Sequence, residues 1–135
     1  MKIATWNINS VRLRIDQALQ FLQQEQPDVF CLQEIKVANE LFPAAPFHDL
    51  GYVHQAVHGQ KAYNGVAILS RLPIAKSESL DFCREGHARH LVAHFENGVE
   101  LHNFYVPAGG DVPDKEQNLK FDHKLDFLAR MKTYF

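Results

Sequence analysis

"KIATWNINSVRLRIDQALQFLQQEQPDVFCLQE", residues 2–34, carries its structural signals in an order that restricts the fold. A short apolar run ends in Asn7 and Asn9 with Ile8 between them. Alternate side chains of a strand leave on opposite faces, so the two asparagines share one face and Ile8 takes the other. Ser10 offers a helix N-cap, and Val11, Ile15, Ala18, Leu19 and Leu22 then recur at helical spacing against a glutamine-rich reverse side. Pro27 stops that helix. "DVFCLQE" (28–34) reads as a second buried strand. A strand–helix–strand unit joins parallel strands by a right-handed crossover and brings both carboxyl ends to one edge of the sheet. Asn7 and Glu34 are therefore expected side by side. An amide ending a buried strand must be hydrogen-bonded or hold something, since leaving it unpaired costs about 1–3 kcal/mol.

Downstream, "IKVANELFPAAPFHDL" (35–50) reads as a loop with one helical turn. "YVHQAVHG" (52–59), "GVAILS" (65–70) and "IAKSESLDF" (74–82) read as short strands that extend the sheet antiparallel. In "ARHLVAHFENGVELHNFYVP" (88–107) the apolar pattern sets the hairpin register. A two-residue Asn97-Gly98 turn would oppose Phe95 and Glu100, mixing the buried face. A three-residue loop, Glu96-Asn97-Gly98 with Gly98 at positive φ, opposes Phe95 with Val99 and Ala93 with Leu101. That register sets Asn103 opposite Leu91 and Arg89 opposite Tyr105, again a polar end to an apolar face. "KEQNLKFDHKLDFLARMKTYF" (115–135) is amphipathic, with Phe121, Leu125 and Leu128 on one stripe and Lys120, Lys124 and Asp126 off it. In this rhythm such a helix ordinarily delivers the chain to another strand.

The 135 residues, 46% of them hydrophobic, suit one globular domain, 1–135. A formal charge of −2 gives no global basic signal, so nucleic-acid contact requires a local Arg and Lys cluster. Two cysteines are too few for a disulfide framework, and Cys31 sits in an apolar stretch as a small hydrophobe. With no signal peptide and no apolar run of spanning length, the expectation is a cytoplasmic protein without membrane contact.

Glu34 beside Asn7 at a wet strand edge suits Mg²⁺, a cation that takes oxygen ligands and keeps several waters. The plainer alternative is a solvated loop start with an amide capping backbone. Arg89 and Tyr105 suit a phosphate, the one through paired donors and the other through a phenol that can donate or lose a proton. Otherwise the ring shields an arginine stem. Lys36, Lys61 and Arg12 are candidates for further phosphate contacts. The eight histidines do not close into a ligand set, because the hairpin register opposes His94 with Glu100 and His90 with Phe104.

"TWNINS" (5–10), "PDVFCLQEIK" (27–36), "YNGVAILSR" (63–71), "YVPAGGDVPD" (105–114) and "KFDHKLDFL" (120–128) together resemble the N-terminal half of the exodeoxyribonuclease III and AP-endonuclease family, within the endonuclease/exonuclease/phosphatase superfamily. The resemblance runs in order over essentially the whole chain. It implies an α/β fold, half of a four-layer sandwich, with a mixed, mostly antiparallel sheet and helices on one face. It also implies phosphodiester hydrolysis dependent on Mg²⁺, with Mn²⁺ an option, on the 5′ side of abasic sites and at 3′ ends of duplex DNA. By motif, Asn7 and Glu34 fall to the metal, Tyr105 to catalysis, and Arg89, Lys36, Tyr63 and Asn64 to DNA.

Family members are about twice as long. Their second half supplies an Asp-x-Asn motif, a further aspartate and an Asp-His pair, so the expectation for this chain alone is inactivity. Two alternatives stand beside that reading. One is an assembly fragment whose uncovered apolar sheet face pairs two copies. The other is a phosphatase or phosphodiesterase acting on a non-DNA substrate.

Overall fold

Strands β1 (Ile3–Asn7) and β2 (Val29–Gln33) pair in parallel, Asn7 opposite Gln33, in the computed structural model, which describes residues 1–135. Helix α1 (Ile15–Glu25) forms the crossover between them and ends at Gln26, left-handed with φ 46°, just before Pro27. The helix begins later than its apolar spacing predicts. The Ser10 and Val11 N–H groups donate to Glu34 O (2.8 Å) and Ile35 O (3.1 Å), which extends the pairing beyond β1 and holds residues 11–14 in a turn. Ser10 Oγ accepts from Leu13 N at 3.3 Å, capping that turn rather than α1, whose cap residue is Arg14.

Residues 39–41 form a 3-10 turn, and α2 (Ala44–Asp49) follows. Strands β3 (His54–His58) and β4 (Val66–Ser70) extend the sheet antiparallel, in the order β1-β2-β4-β3. Strand β5 (Ile74–Glu78) departs from expectation by leaving this sheet. It pairs with β6 (His90–Phe95), which pairs with β7 (Glu100–Phe104), in a second sheet ordered β5-β6-β7. The chain turns a corner at Ser70, whose Oγ accepts from Leu72 N (2.9 Å) and donates to Leu72 O (2.8 Å). The β6–β7 register is the one the three-residue loop requires: Ala93 opposes Leu101, Leu91 opposes Asn103, and Phe95 N donates to Val99 O at 2.9 Å.

The result is four layers, each sheet carrying helices on its outer face only. Ile8, Ala18, Leu22, Phe30, Leu32, Phe47 and Leu69 fill the space between the first sheet and its helices. Val29, Cys31, Val66 and Ile68 meet Leu91, Ala93 and Phe95 between the sheets. Burial there pushes the Cys31 thiol up to about 12. The large uncovered sheet face expected of a lone half is therefore absent, since the second sheet covers β3, β4 and β2. What stays open is β1, where Ile3, Thr5 and Asn7 are exposed; β1 and β7 are terminal strands of their sheets, as are β3 and β5 at the opposite ends.

Helix α3 (Leu119–Tyr134) covers the outer face of the second sheet. Asn118 caps it, accepting from Lys120 N while donating to Gly109 O (2.9 Å) and Val112 O (2.8 Å). Its buried stripe is His123 and Phe127 with Met131 beside them, whereas Leu125 and Leu128 are each 39% exposed. The helix is rotated from the expected face because Phe127 inserts among the rings of Phe82 and Phe104, each with its centroid 6.2 Å away. Phe127→Ala should lower stability by about 3–5 kcal/mol and Leu125→Ala by less than about 1 kcal/mol, measured by urea unfolding. Equal losses would contradict this orientation.

Candidate active site

The parallel β1–β2 pair brings its two carboxyl ends together, and Asn7 Nδ2 donates to Glu34 Oε1 at 3.0 Å. Beyond β2 the backbone bends sharply. Asn9, Ser10, Glu34, Lys36 and Asn64 are all left-handed, with φ between 46° and 85°. Such conformations cost about 1–3 kcal/mol each for residues other than glycine and persist only where surrounding bonds enforce them. Those bonds are present. Ile35 N donates to Gly65 O (3.2 Å), Lys36 N to Asn64 O (3.0 Å), and Gly65 N to Ala88 O (2.8 Å). Gly65 is required here: its φ is +87°, and a Cβ would lie 2.6 Å from Ile35 Cγ1.

Three elements converge on the Glu34 carboxylate. Besides Asn7, Oε1 accepts from the Tyr105 hydroxyl at 2.6 Å, and Oε2 lies 3.4 Å from Lys36 Nζ. Lys36 is held in turn by Asn9 Oδ1 at 2.5 Å. Tyr105 follows β7 directly; its N–H donates to Arg89 O at 2.8 Å, as the hairpin register requires. The Arg89 guanidinium lies 4.7 Å from the Tyr105 ring centroid, over its face, and Nη1 donates to Tyr105 O at 3.2 Å.

Burial pushes the Glu34 carboxyl upward, but hydrogen bonds from Tyr105, Asn7 and Lys36, with the Lys36 charge, outweigh it and hold the group below its ordinary value. Burial raises the Tyr105 phenol, and so do the hydrogen bond and charge of Glu34, with Arg89 opposing. The pair is thus a carboxylate and a protonated phenol near neutral pH.

Of the residues singled out from the sequence, Asn7, Glu34, Lys36, Tyr105 and Arg89 come together. Asn64 joins them through its carbonyl, while its side chain turns to Gln60 Oε1 at 3.2 Å. Tyr63, next to it, is 70% exposed. Arg12 and Lys61 are exposed and lie outside this bonded group. Sequence reasoning gave no place to Gln60, which ties Asn64 to Ala88 N, nor to the cleft beside Tyr105. That cleft, of about 360 Å³, is lined by Arg89, His87, Lys120, His123 and Glu85. Buried Arg89 Nε and His87 Nδ1 make no hydrogen bond in the fold, although Glu85 Oε2 lies 3.6 Å from the latter.

The donor set fits a hard divalent cation. Glu34 supplies carboxylate oxygens, and Asn7, having turned its NH₂ to Glu34, leaves its own oxygen free of that bond. No three His, Cys, Asp or Glu side chains are arranged to hold a metal ion between them, so a cation at Glu34 would complete its shell from amide and water. No helix is long and apolar enough to cross a membrane.

Comparison with known proteins agrees with this geometry. The pattern of the Endonuclease/Exonuclease/phosphatase family matches residues 4–133. Exodeoxyribonuclease III of Haemophilus influenzae is 36% identical over 99% of this chain and 51% of that protein. An AP endonuclease from Archaeoglobus fulgidus superposes with a TM-score of 0.87 at 37% identity, over 99% of this chain and 50% of its own. A 3'-5' exonuclease from Neisseria meningitidis gives 0.83 at 35% identity, over 97% and 50%. The chain spans about half the length of the curated relative and of the solved structures named here.

A depressed carboxyl contributes stability that is fully present above its unfolded-state pKa and is lost as pH falls through the folded value. Tyr105→Phe removes a donor to Glu34, so the carboxyl should titrate closer to the ordinary 4.5, and the stability lost on acidification should be smaller and its loss complete at a higher pH. Carbon-13 NMR of the Glu34 carboxyl against pH measures this. An unchanged titration would show that the phenol contributes nothing to holding the charge.

Proposed function

The chain belongs to the endonuclease/exonuclease/phosphatase family, and from that membership we propose that residues 1–135 form the N-terminal half of a DNA-repair phosphodiesterase. Its reaction is Mg²⁺-dependent cleavage of DNA on the 5′ side of abasic sites and removal of nucleotides from 3′ ends. The observation that carries this reading is the Glu34 carboxylate, gripped by Asn7, Lys36 and Tyr105 from separate parts of the chain, with Arg89 against the same tyrosine. Similarity to an exodeoxyribonuclease III and an AP endonuclease favours DNA as the substrate. We place the protein in the cytoplasm, where its two free cysteines stay reduced.

Each residue's part follows from its chemistry. Arg89 offers its guanidinium donors to a phosphate, and its place over the Tyr105 ring, with the Nη1 bond to Tyr105 O, restrains it. Tyr105, kept protonated, acts as a donor and orienting group rather than as a base. Lys36 balances the Glu34 charge before substrate arrives. Exposed Tyr63 and its neighbour Asn64 offer a stacking face and an amide to the DNA backbone. Mg²⁺ or Mn²⁺ held by Glu34 and Asn7 would supply positive charge for the phosphate oxygens. We assign the activation of water to the complementary half.

The open side, bounded by β1 and the free edge of β7, is where we place that half. A pairing of two copies through the same edges is the competing reading, favoured by the exposed Ile3 and Thr5 of β1, and light scattering separates the two. Purified chain alone should cleave an abasic duplex little or not at all in Mg²⁺, and addition of the complementary half should restore cleavage that Glu34→Ala removes. Strong cleavage by the isolated chain, abolished by Glu34→Ala, would overturn the half-site reading. Turnover of phospholipid but not abasic oligonucleotide by the restored enzyme would overturn the DNA assignment.

A further inference from the structure

Thr5, Gln33 and Asn103 form an amide clasp that none of the roles above includes, and it spans the two sheets one step inside the candidate active site. Asn103, on β7, is only 3% exposed. Its Nδ2 donates to Leu32 O of β2 (3.0 Å) and to Ala67 O of β4 (2.9 Å). Two carbonyls on that side require the NH₂ group there, which turns Oδ1 toward Gln33. Gln33 Nε2 donates to Asn103 Oδ1 at 2.7 Å and also to Thr5 Oγ1 of β1 at 2.9 Å. One side chain of the second sheet is thus bonded, directly or through Gln33, to three strands of the first.

The position of the clasp gives it a consequence beyond satisfying buried amides. Glu34 is the residue after Gln33, and Tyr105 lies two residues after Asn103. The apolar contacts that otherwise hold the sheets together are not directional and tolerate sliding, whereas hydrogen bonds weaken steeply off axis. A phenol–carboxylate bond of 2.6 Å between the sheets needs the directional kind of restraint close by. We propose that Asn103 and Gln33 are positioning residues that fix the spacing of the two sheets at the site, and so hold the Tyr105 hydroxyl on Glu34. The functional meaning of this inference rests on the reading of Glu34 and Tyr105 as active-site residues; the geometric claim does not.

The test compares two tyrosine hydroxyl protons by NMR in the 135-residue chain. Tyr105 reports the site, its resonance assigned by loss in Tyr105→Phe. Tyr52 reports the fold at large, because its hydroxyl donates to Pro27 O at 2.7 Å in the other core. In Gln33→Leu, exchange of the Tyr105 proton with water should quicken by about tenfold or more, as befits loss of a restraining hydrogen bond, while Tyr52 stays unchanged. Thr5→Val, at an exposed position, keeps the Gln33–Asn103 bond and should quicken Tyr105 less but in the same direction; it serves if Gln33→Leu does not fold. Unchanged exchange at Tyr105 in a folded variant, or equal quickening at both tyrosines, would overturn the proposal. Cleavage assays play no part here, so failure of the clasp leaves the functional reading standing, and the reverse holds as well.

Discussion

The Glu34 carboxylate is where the two sheets, the first crossover and the strained loops of this chain are tied together. It accepts from β1 through Asn7 and from the end of the second sheet through Tyr105, and it faces Lys36 two residues on. Glu34 is partly buried, and taking a charge even partly out of water is costly unless donors replace the lost water. Here the replacement donors come from segments up to 71 residues away in sequence. The charge therefore acts as a constraint: wherever it sits, those segments must meet. The left-handed backbone at Asn9, Ser10, Glu34, Lys36 and Asn64 is the local cost of that meeting.

The interior between the sheets changes character along its length. At one end Val29 and Phe95 belong to a dry apolar cluster that includes Cys31, Ile68 and Ala93. One step from the site the same faces carry Gln33 and Asn103, joined by one amide–amide hydrogen bond and otherwise bonded to Thr5 and to the Leu32 and Ala67 carbonyls. Beyond them come Glu34, Tyr105 and Arg89. The apolar section supplies most of the burial energy but little direction, and the amide section supplies direction at small net energy. The amide section thus stands between the apolar core and the charged groups.

The open side belongs to the same logic. Both sheets end there in unpaired strands, β1 and β7, and the carboxyl ends of those strands lead into the group around Glu34. A second body docked against these edges would extend both sheets and would face the same carboxylate from across the cleft. Sheet edges that offer unpaired backbone groups favour such additions. The chain spans about half the length of the family relatives named above.

Local periodicity made much of this legible in the sequence. The parallel β1–β2 pair followed from an apolar run, an amphipathic stretch and a second apolar run, and it alone put Asn7 beside Glu34. The β6–β7 register followed from the alternation of Leu91, Ala93 and Phe95, and it alone put Arg89 opposite Tyr105. The resemblance to a known family added roles for these residues but no geometry. Other features depend on partners distant in sequence, and no window of residues contains them. Ser10 yields the helix start because its N–H is taken by Glu34 O. Strand β5 joins the second sheet, although its pattern would suit either. Helix α3 turns His123 and Phe127 inward because Phe82 and Phe104 offer a slot for a ring, which its own spacing of leucines does not reveal. The clasp of Thr5, Gln33 and Asn103 spans 98 residues of sequence and exists only once both sheets are stacked. Sequence fixes which face a side chain takes on its own element; which other element meets that face is decided by packing the whole chain, because contact energies are set by neighbours in space.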